Sequence, residues 1–201
     1  MSLIEEKFSR LGVDHAPGQE INAGDSGLVL RGEPLTGAPV DFSHGDVDAH
    51  PPIPGSLECF IEGFKVGGHR AYTQYSGDLA LRTQVAESLS AFTGTKVEPT
   101  HLIFTSGTQG ALFLPMGSLI SRGDKVAIVE PDYFANRKLV EFFEGTVVGI
   151  PMYYENDGSC AGLDLEKLEK AFQDGVRLFL FSNPNNPTGV IYSQQEIRTI
   201  A

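Results

Sequence analysis

The chain has 201 residues, 41% of them apolar and 20% charged, which is the composition of a globular protein with a buried core rather than a disordered or fibrous one. Its 26 acidic and 15 basic side chains leave a formal charge of -11, and no Lys/Arg block interrupts that balance, so a nucleic-acid backbone is excluded as the main partner. No run approaches the roughly 18 apolar residues that a membrane-spanning helix needs.

Residues 1–55 read as an irregular N-terminal arm, because short apolar pieces are broken by APG, AGDSG, RGEP, TGAP and PPIPG. The opening MSLIEEKFSRLG lacks the basic stretch and apolar run of a secretory leader, so a cytoplasmic protein is expected. HGDVDAH, from His44 to His50, mixes imidazoles and carboxylates, but no helix or strand fixes their geometry and no metal site is expected there. Cys59 and Cys160 are neither a close metal-binding pair nor a disulfide framework and read as reduced thiols.

From residue 78 the pattern becomes regular. Leu81, Val85, Leu89 and Phe92 recur at helical spacing after Asp78, a good N-cap, and the helix should end near Thr93-Gly94. HLIFTS reads as a short strand, followed through Ser106-Gly107-Thr108-Gln109-Gly110 by the helix-like run ALFLPMGSLI, despite Pro115. KVAIVE is a strand, a helix is expected around Phe134 to Phe143, and TVVGIPM is the next strand. After a break at YENDGSCAG, Asp164 can cap a helix with apolar Leu165, Leu168, Ala171 and Phe172. RLFLFS is a nearly continuous apolar strand closed by NPNNPTG, and Ser193 with Glu196 forms a capping-box pattern for a last helix.

Alternating helices and continuously apolar strands imply an α/β fold, with a mainly parallel sheet covered by helices on both faces. Ligands gather at the carboxyl ends of strands in such folds, and two unusual sequences fall there: SGTQG after HLIFTS, and NPNNPTG after RLFLFS. Backbone N–H groups at the SGTQG turn suit an anion, with Gly107 permitting close approach, while a purely structural turn capped by Thr108 satisfies the same pattern. The spacing is neither that of a nucleotide P-loop nor GxGxxG. Tyr133, just beyond KVAIVE, either closes the core or covers a flat ligand ring. In NPNNPTG the prolines and glycine set the backbone path and Asn186 can aim its amide at a ligand oxygen, or the loop is only a connection.

Taken in order, HGDVD, YTQYSGDLALR, TSGTQGALFL, VEPDY and NPNNPTGV resemble the first half of a pyridoxal-phosphate-dependent enzyme of the aspartate-aminotransferase fold, most similar to class I/II aminotransferases, over about residues 40–201. The resemblance implies the three-layer major domain of that family, incomplete at its C-terminus, with residues 1–55 as arm and part of a small domain and 56–201 as the first part of the large cofactor-binding domain. It implies pyridoxal 5'-phosphate as cofactor. Thr108 and Gln109 match positions that hold its phosphate, with Gly107 shaping the turn. Tyr133 matches the aromatic stacked on the pyridine ring, and Asn186 the asparagine bonded to the phenolic oxygen, with Asn183 supporting the loop. Tyr72 matches a tyrosine reaching the phosphate of a neighbouring subunit, so a homodimer with shared sites is implied; Gly45 matches a glycine near the substrate carboxylate, and Arg82 a structural arginine.

The family's Schiff-base lysine, ring-nitrogen carboxylate and substrate-binding arginine are expected beyond residue 201, and none of Lys7, Lys65, Lys96, Lys125, Lys138, Lys167 and Lys170 stands in the lysine's context. The resemblance therefore implies transfer of an amino group between an amino acid and a 2-oxo acid by the complete protein, with the 201 residues alone inactive. Lyases, decarboxylases and synthases of the same fold share these motifs, as would an inactive homologue acting as a binding module. A transcription regulator built on the fold would need a basic DNA-binding domain, which residues 1–55 do not supply. The segment DFSHGDVDAHPPIP is less regular than its family counterpart, which leaves the substrate open.

Overall fold

A computed structural model describes residues 2–11, 29–30, 33–34, 51–66, 72–154 and 161–201. The chain divides into two compact units, one formed by Met1–Leu11 with Phe104–Ala201 and the other by Gly12–Ile103.

The larger unit is a three-layer α/β sandwich. Its helices are α1 (Leu3–Leu11), α4 (Gly107–Leu119), α5 (Phe134–Phe142), α6 (Leu165–Gln173) and α7 (Gln194–Ile200). Its strands are β3 (Lys125–Glu130), β4 (Thr146–Tyr154), β5 (Ala161–Leu163) and β6 (Val176–Leu180), in the spatial order β5-β4-β3-β6. β3 runs parallel to both β4 and β6, whereas β5 pairs antiparallel with β4 at one edge. KVAIVE makes the central strand because its interior residues are apolar on both sides of the pleat: Val126, Ala127, Ile128 and Val129 are each at most 2% exposed. Val126 and Ile128 pack with Met116 of α4, Ile120 just after it and Val140 of α5, while Ala127 and Val129 pack with Ile150, Leu168, Ala171 and Tyr192 on the opposite face.

The expected caps are made. In α6, Asp164 Oδ1 accepts the Lys167 N–H at 2.9 Å. In α7, the Ser193 hydroxyl accepts from Glu196 N at 3.2 Å and the Glu196 carboxylate accepts back from Ser193 N at 2.7 Å. Glu196 also accepts from Leu163 N at 2.9 Å, so the same carboxylate ties α7 to the edge strand β5. Partial burial opposes its ionisation, but the donors on Leu163 and Ser193 together hold its carboxyl below the ordinary glutamate value.

The smaller unit contains the β1–β2 pair (Val29–Leu30 with Glu33–Pro34), α2 (Ser56–Lys65), α3 (Leu79–Thr93) and a 3₁₀ turn at Pro99–His101. Asp78 caps α3 by accepting from Leu81 N at 3.0 Å, and Gly94 ends it at φ 68, a left-handed conformation that glycine adopts without a Cβ clash. Arg82 is only 8% exposed. Its guanidinium donates to Gly77 O at 3.1 Å, Pro99 O at 2.8 Å and Gln74 Oε1 at 2.9 Å. It therefore fastens α3 to the segments on either side of it, the structural role that the sequence suggests.

Four expectations change. HLIFTS is not a strand: the 3₁₀ turn covers its start and residues 102–105 have no sheet partner among the described residues, so an apolar run alone did not suffice. The stripe of α3 is not its buried face, since Arg82 and Ala86 are the buried residues and Leu81, Leu89 and Phe92 are exposed. The arm is not wholly irregular: α1 forms after a Ser2–Glu5 capping box, with Ser2 N to Glu5 Oε2 at 2.6 Å and Glu5 N to Ser2 Oγ at 3.2 Å. The strand β5 lies in what reads as a break. Gly45, the His44–His50 run and Cys160 lie outside the described residues.

Replacing Arg82 with methionine leaves three carbonyl acceptors without their donor and should lower stability by about 2–3 kcal/mol, read as a fall in the urea midpoint at unchanged slope. Lysine should recover little of it, because an ammonium cannot reproduce the planar fork. A second outcome concerns acid. Glu196 has a depressed folded-state pKa, so its contribution is fully present above the ordinary glutamate value and fades as pH falls through the lower folded one. The urea midpoint of Glu196→Gln should therefore lie below that of the parent at neutral pH and converge with it on acidification.

Candidate functional site

The strand order places the candidate site. From β3 the chain crosses through α5 to β4 on one side, and from β5 it returns through α6 to β6 on the other. In open α/β sheets the ligand crevice lies beyond the carboxyl ends of the parallel strands, here β3, β4 and β6. Pro131, Asp132 and Tyr133 follow β3 into it, and the 181–192 loop follows β6. The start of α4 reaches the same end, since Gln109 Nε2 donates to the Tyr133 hydroxyl at 2.8 Å.

At that helix start Gly107 has φ 72, which a residue with a Cβ rarely adopts. Ser106 is the N-cap but its side chain makes no capping bond, and no acidic residue occupies the first turn. Thr108 lies inside that turn rather than serving as the cap. The side chains of Thr108 and Gln109 are exposed. The Gly107 N–H donates to Thr105 O at 2.9 Å, and no acidic side chain of the turn opposes the N–H groups that follow it at the positive end of the helix dipole. An anionic group fits this donor set without displacing any side chain.

Tyr133 is half-buried and its ring meets Phe134 at 4.9 Å with a 60° tilt. Beneath it, Asn136 closes the first turn of α5, its N–H donating to Tyr133 O at 3.0 Å and its Nδ2 to Asp132 Oδ2 at 2.7 Å. Burial pushes the Asp132 carboxyl above its ordinary value, against the bonds from Asn136 and Tyr133. Glu130 is paired with Arg137, so its charge at the strand end is compensated.

In the loop after β6, the three asparagines differ. Asn183 Oδ1 accepts the Tyr192 N–H at 3.2 Å, which holds the far end of the loop. Asn186 has an exposed side chain, and its backbone N–H donates to Ser182 Oγ at 3.0 Å. Asn185 is 3% exposed and turned into the protein. It was not among the residues singled out from the sequence, where nothing distinguishes it from its neighbours. Tyr72, in the smaller unit, is fully exposed. Among the described lysines, Lys125 donates to Asp174 O at 2.8 Å at the opposite end of β3, Lys170 pairs with Asp174 at 2.9 Å and Lys65 with Glu62 at 2.8 Å. None of these three is part of the crevice. Among the described residues no group of three metal-ligating side chains occurs.

The arrangement offers an anion seat at α4, a phenol ring beside it and an outward amide from the neighbouring loop. A solved aspartate aminotransferase from Rhodobacter sphaeroides is 56% identical and superposes with a TM-score of 0.81, covering 98% of this chain and 49% of that one. A solved alanine aminotransferase from Pyrococcus furiosus is 28% identical with a TM-score of 0.65, over 72% of this chain and 36% of that one. The aspartate aminotransferase of Sulfolobus acidocaldarius is 31% identical over 131 residues, 65% of this chain and 32% of its own length. The chain thus spans about a third of the length of the curated relatives it matches, and about half of the R. sphaeroides chain. The family model for aminotransferase class I and II matches residues 43–201, and the chain belongs to that pyridoxal-phosphate-dependent family.

Proposed function

We propose that the complete polypeptide is an aminotransferase that moves an amino group between an amino acid and a 2-oxo acid. One observation carries the reading: in a chain of this family, a helix start without a side-chain cap is bonded to a tyrosine that follows one parallel strand, and an exposed asparagine lies in the loop after the neighbouring one. Pyridoxal 5'-phosphate fits the donor set. Its dianionic phosphate suits the start of α4, its flat ring suits the face of Tyr133, and its phenolic oxygen suits the Asn186 amide.

The bound group supplies electron withdrawal from the amino-bearing carbon, which eases loss of the α-proton. The chain's own residues bind and orient. Thr108 and Gln109 hold the phosphate through backbone N–H groups and the Thr108 hydroxyl, with Gly107 keeping the turn open. Gln109 also donates to the Tyr133 hydroxyl at 2.8 Å, so the residue at the phosphate end and the residue facing the ring restrain each other. Asn186 would donate to the phenolic oxygen and stabilise negative charge there, while Asn183 keeps the loop closed onto Tyr192.

Tyr72 is assigned to the phosphate of a second subunit, which makes the protein a homodimer with shared sites, and Gly45 to the neighbourhood of the substrate carboxylate. The Schiff-base lysine, the acid facing the ring nitrogen and the arginine for the substrate are assigned to sequence beyond residue 201, so the 201 residues alone should turn over nothing. A cytoplasmic location accompanies this reading.

The complete protein, loaded with cofactor and given an amino acid and a 2-oxo acid, should form the exchanged amino-acid and oxo-acid pair in equal amounts, measured by chromatography. Release of ammonia and pyruvate without an acceptor would instead establish a lyase of the same fold. In the same protein, Thr108→Val should raise the cofactor dissociation constant about tenfold, the loss of one charge-assisted hydrogen bond. Asn186→Ala should raise the pH midpoint of the bound cofactor's visible absorption, because the phenolic oxygen loses a donor that favours its anionic form.

A further inference from the structure

Asn185 is buried between the two loops that carry the proposed ring contacts, and every polar group it has is engaged. Its backbone N–H donates to Val190 O and its carbonyl accepts from Gly189 N, each at 2.8 Å. Its side-chain Oδ1 accepts from Thr188 N at 3.2 Å and from the Thr188 hydroxyl at 2.6 Å. Its Nδ2 then leaves its own loop and donates to Pro131 O at 3.3 Å, two residues before Tyr133.

We propose that Asn185 is a positioning residue that sets the gap between the Tyr133 ring and the Asn186 amide, by tying the loop after β6 to the loop after β3. The proposal rests on the reading of Tyr133 and Asn186 as the groups that hold the cofactor ring. Three features give the tie its effect. Asn185 is covalently next to Asn186, so a rotation of its peptide redirects the neighbouring side chain. Pro131 cannot donate a hydrogen bond, which leaves its carbonyl as the contact point on that segment. The segment from Pro131 to Asn136 is stiffened by the Asn136 bonds to Asp132 and Tyr133, so displacement at Pro131 passes to the tyrosine.

The surroundings make the carboxamide hard to replace. Tyr192, 4% exposed, lies against the same loop with its hydroxyl close enough for the Asn185 side chain to act on it. Burial pushes that hydroxyl's pKa up, Asn185 acts against the rise, and the charge of Asp132 adds to it. An amide, with separate donor and acceptor ends, serves Pro131 and Thr188 together. A carboxylate at position 185 would turn a second acceptor toward the Pro131 carbonyl.

The test uses the complete, cofactor-loaded protein and the variant Asn185→Ser. Serine retains a hydroxyl that can accept from Thr188 N but is too short to span to Pro131 O. The readouts are the visible circular dichroism of the bound cofactor, the pH midpoint of its absorption and its dissociation constant, beside the urea midpoint. N185S should lose half or more of the dichroism, shift the absorption midpoint in the same direction as N186A, and weaken cofactor binding about fivefold to tenfold. In an N186A background the further midpoint shift should vanish, because both changes act through one amide. If N185S does not fold, N185A carries the same comparison. A midpoint that moves in N186A but stays put in N185S overturns the tie alone, as does an additive double variant. A midpoint that stays put in N186A overturns the site reading and the tie with it.

Discussion

Everything at the crevice depends on β3 being held as the parallel neighbour of β4 and β6 together. Parallel pairing puts the carboxyl ends of all three strands on one edge, with α5 linking β3 to β4 and α6 leading from the antiparallel edge strand β5 to β6. Register is enforced by burial on both faces. A one-residue slip of β3 would exchange Val126 and Ile128, which fill the side of α4 and α5, with Ala127 and Val129, which meet Leu168, Ala171 and Tyr192. Neither face has exposed space to absorb that exchange. The pairing of β3 with β6 does include a shift: Lys125 stands opposite Val176 but Val126 opposite Leu178. The extra residue, Arg177, reaches Asp124 at 3.0 Å, so the irregularity sits at the end of the sheet away from the crevice.

The charge at the crevice differs from that of the chain as a whole. A chain with net charge -11 is a poor host for a phosphate unless the seat is locally free of carboxylates. The first turn of α4 contains none, and the acid that ends β3, Glu130, is matched by Arg137. Asp132 is partly buried and engaged by Asn136, and burial raises its pKa against the bonds from Asn136 and Tyr133. Binding by neutral backbone donors and a helix dipole needs no lysine or arginine in that turn. It does need geometry, which is why Gly107 at φ 72 and the open Ser106 cap matter more than residue charge.

The legible parts of this fold are those whose physics is local. Asp78, Asp164 and the Ser193–Glu196 box announce their helices because a cap is a contact between residues three apart. KVAIVE announces a central strand because burial on two faces demands an unbroken apolar run. NPNNPTG falls where β6 ends, as its sequence suggests, whereas SGTQG follows a segment that forms no strand among the described residues. What failed was decided by distant partners. HLIFTS has strand composition but no described strand beside it. The apolar stripe of α3 is periodic, yet the buried face is chosen by the carbonyls around Arg82, which no periodicity shows. The Ser2–Glu5 box was a readable signal, obscured by the glycine-rich and proline-rich sequence that follows it.

NPNNPTG shows where pattern reading stops. It has three identical side chains within four residues, and composition cannot assign them different work. The structure separates them by what each can reach. Asn183 spends its oxygen on Tyr192 N, Asn185 spends both ends inward, and Asn186 keeps its side chain exposed. The separation follows from the loop's own shape: Gly189 at φ 74 turns the chain back so that Val190 O meets Asn185 N, which directs residue 185 toward the core and its successor away from it. An outward amide at position 186 therefore has its aim set by an inward one at position 185. On the proposed reading, precision at the ring contact is in large part a property of the buried neighbour.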